Sequence, residues 1–228
     1  MEQNINVAVV IPWREKGDRR YAFEIVKNWY VENLPNAKII LSDDRKKDFC
    51  LSGCRNAGVR DAENLGVDVV VINDADTIPE QYPLLESIDA ASKDSYVHLP
   101  YNEYRSLRKR GTDEFLKGKN LIDCDAFIVD GACSGIYICS PKTWWSHYGQ
   151  DERFRGWGFE DAAWYTAHTV LLGKEPIRHE GRVYSMHHKS QNKQGSLYVA
   201  NAQLCAIYNS QTSKESMAML AKDGLFLS

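Results

Sequence analysis

Two carboxylates, Asp74 and Asp76, follow the apolar run Val69-Val70-Val71-Ile72 and precede Thr77-Ile78-Pro79. Alternate acids leaving a buried strand together offer hard oxygen ligands to Mg2+ or Mn2+, cations commonly shared with substrate phosphates. The plain alternative is a pair of turn residues that cap the next helix. A second Asp-x-Asp, Asp123-Cys124-Asp125, precedes its apolar stretch instead of following one and reads as turn chemistry. Further on, Phe154-Arg155-Gly156-Trp157-Gly158-Phe159-Glu160-Asp161 sets a tryptophan between glycines and beside two acids. Such glycines permit close backbone approach and unusual dihedrals. A flat indole suits the apolar face of a sugar ring, and an ionised carboxylate near a hydroxyl is a general base. Acids at a helix start are also favoured by the helix dipole alone, and the tryptophan could be core. Tyr184-Ser185-Met186-His187-His188 reads as strand, where neighbours face opposite sides, so only one histidine points into a given site. A histidine joining carboxylates tilts the preferred cation from Mg2+ towards Mn2+, although each histidine alone is as readily structural.

The elements that must carry these groups are legible in part. Residues 7–11 form a β-branched run closed by Pro12, and residues 37–41 and 68–72 form two more short strands. Between them, Phe23, Val26, Trp29 and Tyr30 give helical spacing over 21–33, and 54–65 reads as a helix with Gly66 at its end. A helix over 79–91 follows. This order predicts an α/β fold with a mixed, mostly parallel sheet flanked by helices. Ligands of such sheets bind at the carboxyl ends of the strands. Trp13-Arg14-Glu15, Ser42-Asp43-Asp44 and Asp74-Ala75-Asp76 occupy those ends. The second half predicts strands at 96–99, 126–129, 135–139 and 182–188. It also predicts a helix from about Glu160 to Leu172 and a terminal helix or helix pair over 201–221. The basic stretch from Arg105 to Lys119 reads as a solvated loop or short helical excursion.

Composition bounds the partners. The chain has 228 residues, 43% hydrophobic and 26% charged, which excludes disordered, collagen-like and coiled-coil classes. A net charge of −3 argues against a general polyanion binder. No apolar run reaches the roughly 18 residues of a membrane span, and residues 1–6 do not resemble a signal peptide. Six cysteines without CxxC or zinc-ligand spacing read as free thiols, so the expected location is the cytoplasm. With no repeat or linker, residues 1–228 read as one domain. Within it, a first half spans about 1–100, a second about 120–195, and a helical segment covers 196–228.

In order and spacing these motifs resemble the GT-A nucleotide-sugar glycosyltransferases, and most of all the beta-1,4-galactosyltransferase group. Ile11-Pro12-Trp13-Arg14 is similar to its Ile-Pro-Phe-Arg, and Cys54-Arg55-Asn56-Ala57-Gly58 to the Arg-Asn-x-Gly helix start of related inverting transferases. Asp74-Ala75-Asp76-Thr77-Ile78-Pro79 resembles Asp-Val-Asp-Leu-Ile-Pro, and Gly156-Trp157-Gly158-Phe159-Glu160-Asp161 resembles Gly-Trp-Gly-Gly-Glu-Asp. Met186 to His188 resembles the strand that completes the family's metal site. The resemblance covers about residues 6–193. Phe159 stands where the family has glycine, Ser134 replaces the first glycine of a Gly-Gly pair, and Met186 lies two residues before His188 where the family spacing is three.

The resemblance implies metal-dependent, inverting transfer of a sugar from a nucleotide-diphosphate donor, expected to be a UDP-sugar, to a hydroxyl. It implies Mn2+ (or Mg2+) on Asp76 with His188, or else His187. The donor would lie on Pro12, Arg14, Asp43, Arg55, Asp74 and Gly135. Trp157 and Glu160 would hold the acceptor, with Asp161 the catalytic base. The acceptor would be a glycan or lipid-linked sugar, with a hydroxylated nucleobase a less favoured option resting on the basic stretch. The Trp157 loop and residues 189–195 are candidate lids. Two other classes compete. A sugar-phosphate nucleotidylyltransferase would need a Gly-rich basic loop after strand one, which Trp13-Arg14-Glu15-Lys16-Gly17 is not. A non-catalytic carbohydrate or nucleotide-sugar module would not need the acid pair and the metal site together.

Overall fold

The computed structural model describes residues 5–15, 19–45, 49–188 and 195–225. The β-branched run forms β1 (Val7–Pro12), which pairs in parallel with β2 (Lys38–Ser42) and β3 (Val69–Asn73). β3 is buried along its whole length, as its unbroken apolar sequence requires of a strand covered on both faces. The sheet continues through β8 (Ile136–Cys139), β5 (His98–Leu99) and β9 (Ile177–Arg178). Only β8 runs against the others, so this six-stranded sheet is mixed and mostly parallel.

A second, four-stranded sheet has the order β4 (Thr77–Pro79), β10 (Arg182–Met186), β6 (Glu103–Leu107) and β7 (Phe127–Ile128). β4 is only three residues long and begins one residue after Asp76, so the acids bridge the two sheets. The basic stretch supplies β6 and then α4 (Arg108–Leu116). β10 ends at Met186, so His187 and His188 lie beyond it, and strand alternation does not decide which of them enters the site.

Helices α1 (Arg20–Asn33), α2 (Leu51–Asn64) and α3 (Gln81–Ala91) cover the main sheet. α1 buries Ala22, Phe23, Val26 and Tyr30, the predicted stripe. α2 begins a turn earlier than predicted because the Cys50 thiol accepts from the Gly53 amide at its N-terminus. Gly58 allows α2 to lie against β1, for a Cβ there would come within 2.1 Å of Val10 Cγ1. α5 (Pro141–Ser146) opens on Ser140, whose hydroxyl accepts from Thr143 N. α6 (Glu160–Leu172) packs with α7 (Ser196–Asn209) and α8 (Lys214–Asp223) over a smaller apolar cluster of Phe154, Ala163, Ala167, Cys205, Tyr208, Met217 and Ala221. All six cysteines are free. Among the described residues, no helix is long and apolar enough to cross a membrane.

Candidate active site

A cleft of about 770 Å3 opens where the two sheets meet. Pro12, Asp74, Asp76, Trp157, Glu160, Asp161, His187 and His188 line it. Arg14, Asp43, Arg55 and Gly135 do not reach its wall; they stand behind groups that do.

The Asp76 carbonyl accepts from Met186 N at 2.8 Å, which ties the acid to the end of β10. There His188 Nε2 lies 2.7 Å from Asp76 Oδ2. His188 Nδ1 accepts from Arg19 Nε at 3.2 Å. His187 sits differently. Its amide donates to Thr112 Oγ1, its carbonyl accepts from the Tyr21 hydroxyl, and its side chain is exposed. The structure therefore brings His188, not His187, against Asp76. A carboxylate oxygen and an imidazole nitrogen facing one cleft fit an octahedral cation with mixed O and N ligands, such as Mn2+.

Asp74 turns the other way. Its carboxylate accepts from Arg55 Nη2 at 2.6 Å, and its amide donates to the Gly135 carbonyl at 2.8 Å. Burial pushes the Asp74 carboxyl up to about 6, against the opposing pull of Arg55. The Arg55 side chain is fully buried. Its Nη1 donates to Gln150 Oε1 and to Asp161 Oδ1, both at 2.8 Å, and its guanidinium lies 4.9 Å from the Tyr137 ring centre. Burial opposes its charge, but Asp74, Tyr137 and Asp161 more than offset this and hold it ionised.

Asp161 accepts a second bond on the same oxygen, from the Tyr137 hydroxyl. Among the described residues no hydrogen bond reaches its Oδ2. Burial, and then the charge of Asp161, push the neighbouring Glu160 carboxyl upward. Both acids occupy the first turn of α6, where the helix dipole favours them. Just before it, Gly156, Gly158 and also Phe159 take left-handed backbone conformations, Phe159 at φ 76°. Phe159 packs on Tyr198, with ring centres 5.0 Å apart, and Tyr198 is nearly parallel to Trp157. Three aromatic rings thus wall the cleft beside the acids.

At the other end, Arg14 donates to both oxygens of Asp43 and to Asp44 Oδ1, and lies 5.3 Å from the centre of the Phe49 ring, which faces the cleft with Pro12. Its hydrogen bond to Asp43 holds that carboxyl below the usual range. Asp43, Asp44 and the Cys54 thiol lie close enough together to suggest a second cation site. Arg14 already pairs with both acids, and the Cys54 sulfur accepts from Asp44 N. Arg155 Nη1 lies 3.6 Å from Asp44 and links this end to the tryptophan loop. Asp123 lies in a 3-10 turn, away from the cleft wall. Of the two candidate lids, residues 189–194 lie outside the described residues.

No protein-family model matches the sequence, and a search of curated proteins finds no relative. Solved structures do match. A Drosophila beta-1,4-galactosyltransferase 7 mutant, in complex with manganese, UDP-Gal and xylobiose, aligns with 92% of this chain and 83% of its own, at TM-score 0.60 and 14% identity. The catalytic domain of that Drosophila enzyme with xylobiose aligns over the same shares at 0.55 and 14%. The fold is GT-A. GalNAc-T7 with UDP, GalNAc and Mn2+ shares the GT-A architecture at TM-score 0.56 and 12% identity, over 90% of this chain and 48% of its own.

Within that GT-A frame, sequence reasoning missed Arg19, Tyr137, Gln150 and Tyr198. Each meets its partner across a long stretch of sequence, 169 residues for Arg19 and His188. Phe159 carried a signal, being a bulky residue between a Gly-Trp-Gly turn and an acid pair.

Proposed function

We propose that this protein is a metal-dependent inverting glycosyltransferase, moving a sugar from a nucleoside-diphosphate donor, a UDP-sugar first among them, to a carbohydrate hydroxyl. The observation that carries this reading is the contact of Asp76 with His188 on one wall of a cleft that also presents Glu160 and Asp161. The likeness to transferases solved with manganese and UDP-sugars supports it.

Asp76 and His188 would hold Mn2+. Bound there, the cation supplies positive charge that offsets the charge developing on the departing diphosphate. The chain's own residues do the rest. Pro12 and Phe49, backed by the Arg14–Asp43 pair, receive the nucleoside end. Asp74, fixed by Arg55, faces the donor. Trp157, Phe159 and Tyr198 offer flat faces to the acceptor ring, and Glu160 takes a hydroxyl. Asp161 Oδ2 accepts the proton of the attacking hydroxyl, whose oxygen then bonds to the anomeric carbon as the nucleoside diphosphate leaves. Displacement in one step, with no enzyme nucleophile, inverts the anomeric centre, as in the two-carboxylate logic of inverting glycosidases.

A carbohydrate acceptor is favoured over a nucleic acid because most cations of the stretch from Arg105 to Lys119 have an acidic partner, Arg105 on Glu103 among them. Lys109 pairs with Asp113, Arg110 with Glu114, and Lys119 with Glu114. We assign the whole chain to one catalytic domain, with donor and acceptor halves on either side of the cleft.

The test is slow donor hydrolysis. A panel of UDP-, GDP-, dTDP- and CMP-sugars is incubated with Mn2+ or with EDTA, and free nucleotide is measured. Mn2+-dependent release from one donor, abolished in Asp76→Ala, is the expected result. Silence across the panel, with no donor-induced thermal shift, would move the assignment to a non-catalytic binding module.

A further inference from the structure

Arg19 is the one cation in contact with the proposed metal ligands among the described residues, and the mechanism above does not use it. It stands one residue ahead of α1, lines the cleft, and donates from Nε to His188 Nδ1 at 3.2 Å. A guanidinium can only donate, so Nδ1 here carries a lone pair and the ring proton is on Nε2, facing Asp76 Oδ2 at 2.7 Å. That tautomer cannot bind a cation through Nε2. A histidine that ligates through Nε2 keeps its proton on Nδ1, where it would confront the Arg19 N–H, donor against donor. Ligation through Nδ1 would displace Arg19 outright. In either case the arginine and the cation cannot both bond His188, and their like charges repel.

We infer that Arg19 is a latch on the metal ligand His188 which, displaced when the cation binds, becomes a ligand for the donor's diphosphate. Its place supports the second role. It lines the cleft together with Pro12 and Phe49 of the nucleoside end and with Asp76, and a diphosphate bound to an Asp76 cation must span the distance between them. The planar fork of an arginine suits phosphate oxygens. This inference rests on reading Asp76 and His188 as the metal site.

The experiment measures binding, not turnover. MnCl2 alone is titrated into the wild-type chain, Arg19→Ala, Arg19→Gln, Asp76→Ala and Arg20→Ala by calorimetry. UDP and uridine are then titrated at saturating Mn2+. Both Arg19 variants are expected to bind Mn2+ about 5-fold more tightly, since one hydrogen bond no longer competes. They are expected to bind UDP at least about 10-fold more weakly, a lost charge-assisted contact, with uridine unchanged. Arg20, exposed and paired with Glu15, should leave all three constants as they are. Mn2+ affinity unchanged in both Arg19 variants overturns the latch, and unchanged UDP affinity overturns the phosphate role, while the metal site stands. If wild type and Asp76→Ala take up Mn2+ equally, the metal site itself is wrong and the latch falls with it.

Discussion

Arg55 joins the two halves of the chemistry through one buried guanidinium. It holds both Asp74, on the proposed donor side, and Asp161, the proposed base, and both contacts are charge-assisted. Removing it strands two carboxylates beside the half-buried Glu160. Breaking a buried ion pair from one side costs about 3–5 kcal/mol. Arg55→Met should therefore lower unfolding stability by roughly 3 kcal/mol at pH 7, read from denaturant midpoints, before any effect on activity is considered. Asp161 itself makes a sharper distinction. Asp161→Asn still accepts from Arg55 and Tyr137 on its carbonyl oxygen but cannot take a proton. Its turnover should fall at least about 100-fold, the scale of a general base, with donor affinity unchanged. Near-native turnover in that variant would remove Asp161 from the base role.

The loop ahead of α6 shows how an element stores what a residue needs. Phe159 occupies a left-handed conformation that costs a non-glycine residue roughly 1–2 kcal/mol, and the glycine of the resembled motif would avoid that cost. Its ring is held against Tyr198. Strain kept beside an active site points to a use for the side chain. Phe159→Gly exchanges relief of strain against lost packing and a looser unfolded chain, so stability should change by no more than about 1 kcal/mol. The acceptor KM should rise while donor hydrolysis is preserved, a split that steady-state kinetics with and without acceptor resolves. Legibility follows element type. β1 and β3 were readable because a strand covered on both faces is an unbroken apolar run. β4 escaped because three residues carry no period, and β6 because Glu103, Tyr104, Arg105 and Ser106 are all only half buried on the second sheet. The acids and histidines were readable as types at spacings. The Arg55 bridge and the Arg19 contact were not, since each is made only when distant strands and helices close on one cleft.

At the scale of the whole molecule, the packing of α6 onto the sheet depends on histidines that must stay neutral. His147 is fully buried among Trp144, Trp164 and His168. His168 Nδ1 donates to the Lys174 carbonyl, which leaves Nε2 to accept from Val97 N, so the neutral ring clips the end of α6 to the strand region before β5. Burial pushes the His147 ring down to about 3 and the His168 ring to about 4. Above the unfolded value near 6.5 neither state is protonated, and these groups leave stability independent of pH. As pH falls below that value, the unfolded chain binds two protons that the folded chain excludes, so stability declines down to the folded values. By pH 5 the loss is about 2 kcal/mol for each ring, a large share of a typical domain's stability. The melting temperature should therefore drop steeply between pH 6.5 and 5. His147→Phe should fill the same aromatic niche without a proton to exclude, and His168→Gln can still donate to Lys174 O and accept from Val97 N. Each variant should flatten that drop relative to wild type in parallel thermal melts at the two pH values, whatever its stability at pH 7. An equally steep decline in both would show that these two rings do not set the acid sensitivity.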